Sequence, residues 1–320
     1  MKLGVVRETK TPPDKRVPLT PSHCRKILDK YENVEIFVQP SEMRAFSNEE
    51  YKEAGITLKE DLSDCDVLMG VKEVEKSELI PEKTYLFFSH TAKKQPYNRD
   101  LLRAIIEKKI HLVDYEYLTS DDDIRVVAFG RWAGVVGAYN GLKAYGQRLK
   151  SFDLKSAWEC HDSSELFFEL NKVVPEKIKI VITGGGRVAR GAEETLTTAG
   201  FKKVSPKDFL NKKFIEPIYT QLEPCNYVKR LDGQKFELLH FFNSPEAYQT
   251  IFLPYTRLAD IYIPCHFWDP RSPLFMTKQD MKEKDFKIKI IADISCDIDG
   301  PIPSTIRPSS IANPVYGYNP

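Results

Sequence analysis

KIKIVITGGGRVARGAEETLTTAG, residues 177–200, passes from a continuous apolar run through three glycines into a helical pattern. Strand, tight turn and helix in that order open an α/β nucleotide-binding sheet. Within the stretch, Gly184-x-Gly186-x-x-Ala189 has the spacing that lets a chain turn sharply and a pyrophosphate approach a helix N-terminus. A bare glycine turn between a strand and a helix can also serve no ligand. With both flanking elements visible, a dinucleotide site is the expectation, with Gly184, Gly186, Arg187 and Val188 as its contacts. The charge of Arg187 would meet a phosphate or face water. An acidic residue for the ribose hydroxyls is due about 20 residues further on. Val204-Ser205-Pro206-Lys207 stands there instead, and Asp208 comes slightly late. A neutral strand end beside Lys202, Lys203 and Lys207 leans toward a 2′-phosphate, although the same lysines also read as a solvated face. The cofactor is therefore expected to be NADPH or NADH.

Outward from this unit the same rhythm recurs. Toward the N-terminus, KLGVV (2–6), VEIFVQP, DVLMGV, YLFFSH and IHLVDY alternate with the helical patterns PSHCRKILDKYE, EEYKEAG and NRDLLRAIIEKK. Apolar runs without polar alternation suit parallel strands covered on both faces. Toward the C-terminus, ADIYIPC (259–265) and FKIKIIADIS (286–295) continue the second sheet around a helix near TKQDMKEK. A long helical candidate at 133–149, rich in small residues, reads as a bridge between domains that packs closely on a neighbour. Residues 211–255 give no clear topology, and the final PIPSTIRPSSIANPVYGYNP reads as loop. The expected fold is α/β: two Rossmann-like domains with mostly parallel sheets and the active site in the cleft between them. An N-terminal substrate and catalytic domain would span 1–134 and a nucleotide-binding domain 135–300, with 301–320 returning toward the first.

With 42% hydrophobic side chains, 320 residues suffice for two cores. Forty-seven Lys and Arg against 46 Asp and Glu leave a formal charge of +1, too little to draw the whole protein onto nucleic acid or an anionic membrane. MKLGVVRETK has no apolar signal core, and no run approaches the roughly 18 to 20 apolar residues of a membrane span. A cytoplasmic protein acting on small molecules is expected, with homo-oligomerisation left open. The six cysteines are scattered, and most read as reduced core residues. Cys160-His161 and Cys265-His266 lack ligand spacing, so no metal is expected, and Cys265 is expected to line the nucleotide domain after its strand.

Ligands of open α/β sheets bind outside the carboxyl ends of the strands. The polar residues that follow the first-domain strands are Arg7-Glu8, Lys72-Glu73, His90, and Asp114 with Glu116, and they are expected along one edge. Any one of them alone reads as a solvated or satisfied residue. Lys72 and His90 on successive strands form a plausible acid/base pair, because partial desolvation can bring a lysine toward neutrality.

RETKTPPDKRVPLTP, GVKEVE, FFSHTAKKQ, LVDYEYL, RVVAFGRWAGVVGA, the glycine turn and ADISCDIDGPI occur in this order over nearly the whole chain. Together they resemble the alanine dehydrogenase and pyridine nucleotide transhydrogenase superfamily. They resemble most closely the lysine-ketoglutarate reductase domain of the aminoadipate semialdehyde synthases and the lysine-forming saccharopine dehydrogenases. The resemblance implies acid/base roles for Lys72 and His90, carboxylate binding by Arg16, further substrate contacts from Glu73, Glu116 and Arg125, and Asp297 near the nicotinamide. The implied reaction joins the lysine ε-amine to 2-oxoglutarate, dehydrates the adduct to an imine and reduces that imine to saccharopine, or runs in reverse. Alternatives are reductive amination of a small 2-oxo acid, as in alanine dehydrogenase, and a nucleotide-binding regulatory protein whose active site has decayed. The superfamily also returns to its first domain through further helices, whereas this sequence stops at Tyr318-Asn319-Pro320, leaving either a truncated chain or a lost closing segment.

Overall fold

A computed structural model describes residues 1–10, 14–174 and 177–320, so Thr11, Pro12 and Pro13 of the RETKTPPDKRVPLTP stretch lie outside the described residues. The chain forms two compact units, Met1–Ala128 and Phe129–Pro320.

The first unit contains β1 (Lys2–Val5), α1 (Pro21–Lys30), β2 (Glu35–Val38), α2 (Asn48–Glu53), β3 (Thr57–Leu58), β4 (Val67–Met69), β5 (Thr84–Phe87), α3 (Arg99–Glu107) and β6 (His111–Asp114). Its six strands run in the order β3-β2-β1-β4-β5-β6, and every pairing is parallel. Local chemistry fixes the helix starts. Thr20 caps α1 by accepting from the His23 amide, ahead of Pro21, whose missing N–H costs nothing at a helix start. Ser47 and Glu50 form a reciprocal capping box on α2. One turn apart on α3, Leu101 and Ile105 bury against Leu68, Tyr85 and Phe87. Each such aliphatic side chain contributes about 1.5–3 kcal/mol. Leu3, Val5, Ile36 and Val38 pack with Cys24 and Tyr51 in a separate cluster.

The second unit opens with α4 (Gly130–Leu149) and α5 (Ser163–Glu169), followed by β7 (Lys179–Thr183), α6 (Arg187–Thr198), β8 (Lys202–Lys203), α7 (Pro206–Asn211) and β9 (Ile218–Leu222). It continues with α8 (Pro224–Tyr227), β10 (Val228–Arg230), α9 (Leu238–Asn243), β11 (Tyr248–Thr250), α10 (Leu253–Thr256), β12 (Ile261–Pro264), α11 (Lys278–Lys282) and β13 (Ile290–Ile291). The parallel sheet has the order β13-β12-β7-β9-β8, and β10 pairs with β11 as a separate antiparallel hairpin.

Three sequence expectations change here. The helix expected from residue 133 starts at Gly130 and belongs wholly to the second unit, which moves the division from 134/135 to 128/129. The cause is the packing of α4 on α6, where a side chain at Gly134 would strike the Val188 carbonyl and one at Gly191 the Arg131 carbonyl. Residues 301–320, expected to return to the first unit, group with the second. Ile302 is buried in its core beside Phe275 and Met276, and Thr305 bonds to Asp293. The region 211–255, which had no clear topology, supplies β9, the direct neighbour of β7.

Candidate functional site

The carboxyl ends of β1, β4, β5 and β6 are consecutive along the first sheet, so the residues that follow them share one edge. Glu8, beyond β1, accepts two successive backbone amides, Val71 N–H to Oε1 at 2.6 Å and Lys72 N–H to Oε2 at 2.9 Å. These bonds pin the turn after β4 and explain why charge stands where an apolar strand stops. Burial pushes the Glu8 carboxyl above its ordinary range despite both amides. Arg7, expected on the same edge, instead pairs with Glu60 and the Pro40 carbonyl.

The Lys72-Glu73 dipeptide links two clusters. Glu73 Oε1 lies 2.7 Å from His90 Nδ1, and Glu73 Oε2 accepts from Lys10 Nζ at 2.7 Å. Burial works against ionisation of Glu73, but these two partners hold its pKa below the usual carboxylate range. On the other side, Arg16 makes a two-nitrogen contact with Asp14, with Nε to Oδ1 at 2.9 Å and Nη2 to Oδ2 at 2.5 Å. Burial opposes ionisation of Asp14 too. The Arg16 bonds, aided by the nearby positive charge of Lys72, lower its pKa all the same. Lys72 thus stands by the Asp14–Arg16 pair, while His90 is held by its sequence neighbour Glu73.

His90 adopts φ +53°, a left-handed conformation that costs a non-glycine residue roughly 1–2 kcal/mol. Its surroundings fix it there. Ser89 Oγ donates to Asp114 Oδ2 at 2.5 Å, Asn98 donates to the His90 carbonyl at 3.2 Å, and the His90 ring stacks on Phe88. Asp114 Oδ1 also accepts the Glu116 amide, and Glu116, buried, receives Arg125 Nη2 at 3.3 Å. All six first-unit residues named from the sequence, Arg16, Lys72, Glu73, His90, Glu116 and Arg125, therefore join ion pairs or hydrogen bonds following the β1, β4, β5 and β6 strands. Together these groups can donate and accept protons and hold carboxylates.

The corresponding edge of the second sheet has few charges. Gly184 takes φ +99°, its N–H donates to the Leu222 carbonyl at 2.9 Å, and a Cβ there would sit 2.8 Å from the Cys265 carbonyl oxygen. Only glycine lets β7 turn against the end of β12 in this way. Gly186 begins α6 without a side-chain cap, and a Cβ built on it meets nothing within 4 Å. That open approach to a helix start fits a pyrophosphate. Arg187 and Val188 form the first turn of α6, where the Val188 backbone also serves the crossing with α4. Cys265 is buried, and burial raises its thiol pKa strongly, so it fills space as a neutral group. Asp297 follows β13 in the chain, and burial, with nearby Asp293, raises its pKa. These residues fit a dinucleotide: the glycine turn and α6 for the phosphates, and the ends of β12 and β13 for the rest. Among the described residues no group of three or more His, Cys, Asp or Glu side chains is placed to hold a metal ion.

Sequence reasoning named Glu8 and Asp114 only as strand-end residues, considered His266 only as half of a dipeptide without metal-ligand spacing, and passed over Lys10, Asp14 and Glu223. Lys10 and Asp14 sit in the RETKTPPDKR stretch, where no local pattern marks a long-range partner. His266, the second residue after β12, packs against the Phe275 and Tyr227 rings with Nδ1 2.7 Å from Thr183 Oγ1, and burial lowers its pKa to about 4. Its place at a strand end was the available signal.

Among the described residues no helix is long and apolar enough to cross a membrane. Residues 4–136 match the family "Alanine dehydrogenase/PNT, N-terminal domain". The chain is 31% identical to an alpha-aminoadipic semialdehyde synthase of Arabidopsis thaliana over 99% of its own length and 34% of that protein. It is 30% identical to the mitochondrial alpha-aminoadipic semialdehyde synthase of Bos taurus over 96% of its length and 37% of that protein. It thus spans about a third of these relatives. A saccharopine dehydrogenase (NAD(+), L-lysine-forming) of Yarrowia lipolytica is 25% identical, with 94% of this chain and 76% of that protein aligned. An L-alanine dehydrogenase structure shares the fold with a TM-score of 0.60 at 17% identity, covering 99% of this chain and 80% of that one. The matched family model, these relatives and the shared fold place the similarity of this chain in the alanine dehydrogenase and pyridine nucleotide transhydrogenase superfamily.

Proposed function

We propose that this chain is an NAD(P)-dependent oxidoreductase of amino-acid metabolism that interconverts saccharopine with lysine plus 2-oxoglutarate. The observation behind this reading is the first-sheet edge, where Lys72, His90–Glu73–Lys10 and Arg16–Asp14 gather proton-transfer groups with carboxylate-binding cations. Joining an amine to a keto carbon and expelling water needs a proton removed from nitrogen and one delivered to the departing oxygen. Lys72 and His90 fill those roles, with Glu73 orienting the imidazole through Nδ1 and leaving Nε2 for the substrate. Saccharopine bears three carboxylates, for which Arg16 and Arg125 supply guanidinium forks. Their present partners, Asp14 and Glu116, keep both forks oriented. Gly184, Gly186, Arg187 and Val188 would hold the phosphates of a nicotinamide cofactor, which when bound would supply or accept the hydride. The similarity to aminoadipic semialdehyde synthases and to a saccharopine dehydrogenase supports this choice of substrate.

The fold shared with an L-alanine dehydrogenase favours a second reading, reductive amination of a small 2-oxo acid. One experiment separates them. The protein is mixed with lysine, 2-oxoglutarate and reduced nicotinamide cofactor, and cofactor absorbance is followed; a parallel mixture holds pyruvate and ammonia. Loss of absorbance in the first alone is the expected result. Loss only in the second would replace the saccharopine reading with the alanine one.

A further inference from the structure

The sheet order of the second unit places a carboxylate where the sequence pattern finds none. In a dinucleotide-binding sheet the residue that reads the adenosine ribose lies at the carboxyl end of the strand beside the glycine-turn strand. By chain order that neighbour would be β8, which ends near neutral Val204. In the structure β8 is outermost and β9 is inserted between it and β7. The register pairs Ile182 with Gln221 and Thr183 with Leu222, so the next residue, Glu223, stands beside the glycine turn.

Its side chain is aimed at the turn and held there. A Cβ on Gly185 would collide with the Glu223 carboxylate, lying 2.8 Å from Oε2 and closer still to Oε1. Gln221 Nε2 donates to both the Gly184 carbonyl at 3.0 Å and Glu223 Oε1 at 2.8 Å, tying the carboxylate to the turn backbone. The Glu223 amide is fixed by Asn226 Oδ1 at 3.0 Å. The residue is nevertheless exposed, so its carboxylate is open to a ligand. Two of the three lysines that leaned toward a 2′-phosphate are engaged elsewhere. Lys202 pairs with Glu216 at 2.9 Å and Lys203 with Glu193, both on the outermost strand. Asp208, the other acidic candidate, pairs with Lys212 at the end of α7.

We infer that Glu223 binds the vicinal hydroxyls of the adenosine ribose and sets the chain's preference for NAD(H) over NADP(H). This rests on the dinucleotide reading above and adds the choice of cofactor to it. A carboxylate accepts hydrogen bonds from both hydroxyls of an unphosphorylated ribose, and it repels a 2′-phosphate in the same place. Selection arises from attraction to one ligand and repulsion of the other.

The test is direct binding. NADH and NADPH are titrated separately, by nicotinamide fluorescence and calorimetry, into the wild-type chain, Glu223→Gln and Glu223→Ser, with thermal melting to confirm that each is folded. The wild type is expected to bind NADH at least about 10-fold more tightly than NADPH. Both variants are expected to lose NADH affinity and bring the ratio close to one, Ser because it removes the charge and frees space. Two results overturn the inference while leaving the dinucleotide reading intact: wild-type NADPH affinity equal to or above that for NADH, or a ratio unmoved in folded variants. Binding of neither dinucleotide overturns the dinucleotide reading itself, and this inference with it.

Discussion

The carboxyl edges of the two sheets come from the same architecture and are finished in opposite ways. The first ends its strands in side chains that titrate or carry charge, namely Glu8, Lys72, Glu73, His90 and Asp114, most of them interlocked. The second ends β7 in glycines and β12 in buried Cys265 and His266, and it relies on backbone shape and open space. Parallel strands bring any residue that follows them to one rim. Whether that rim performs proton transfer or admits a long ligand depends on whether side chains fill it. In the first unit charge is concentrated and mutually neutralised; in the second, bulk is removed.

The comparison can be broken most sharply at Lys72. Lys72→Met should lower turnover on the order of 100- to 10,000-fold in the cofactor-absorbance assay while leaving dinucleotide affinity unchanged; unchanged turnover would remove Lys72 from the acid/base role. The second edge should answer the reverse way. Gly184→Ala, strained at φ +99° and crowded by the Cys265 carbonyl, should cost about 2–4 kcal/mol in denaturant unfolding. Gly186→Ala, with nothing within 4 Å, should cost under about 1 kcal/mol. It should nonetheless weaken dinucleotide binding, because only a ligand uses the space. Equal destabilisation by both would mean that the turn is merely structural.

His266 sharpens the contrast through pH. Burial depresses its folded pKa to about 4 from the ordinary 6.5, so the unfolded chain binds the proton more readily. Its contribution is complete above pH 6.5 and is lost as the pH falls toward 4, by up to about 3 kcal/mol. His266→Phe should flatten this part of the unfolding profile; a slope identical to wild type would assign the loss to other groups. The smallest effect is expected at Glu73→Gln, which keeps the shape of the His90 partner but removes its charge. Turnover should fall roughly 10-fold with cofactor affinity retained. A loss as large as that of Lys72→Met would make Glu73 itself a proton-transfer group.

Strand positions in the first unit were legible because five apolar runs without alternation, split by helical patterns, admit little besides a covered parallel sheet. The glycine turn was legible for a similar reason, since spacing alone encodes a tight backbone turn into a helix. β9 was not, because FIEPIYTQLEPC mixes prolines and polar residues with its apolar positions. With β9 unseen, β8 was taken as the neighbour of β7, and the ribose-reading acid was sought near Val204 instead of at Glu223. The domain boundary was misplaced by the same kind of blindness: the first turn of α4 carries no mark of the helix it will pack against.

The sequence by itself determined two α/β units, the glycine turn between a strand and a helix, and the residue types along the first sheet's carboxyl edge, because periodicity, glycine spacing and strand-end position are all local properties of the chain. The tertiary structure alone decided which strand lies beside β7, that Glu8 fastens the Lys72 turn, that Lys10 and His90 share Glu73, and that residues 301–320 group with the second unit. Each of these joins segments far apart along the chain, and such pairings are selected by packing and hydrogen-bond satisfaction over the whole fold, which no short window of residues encodes.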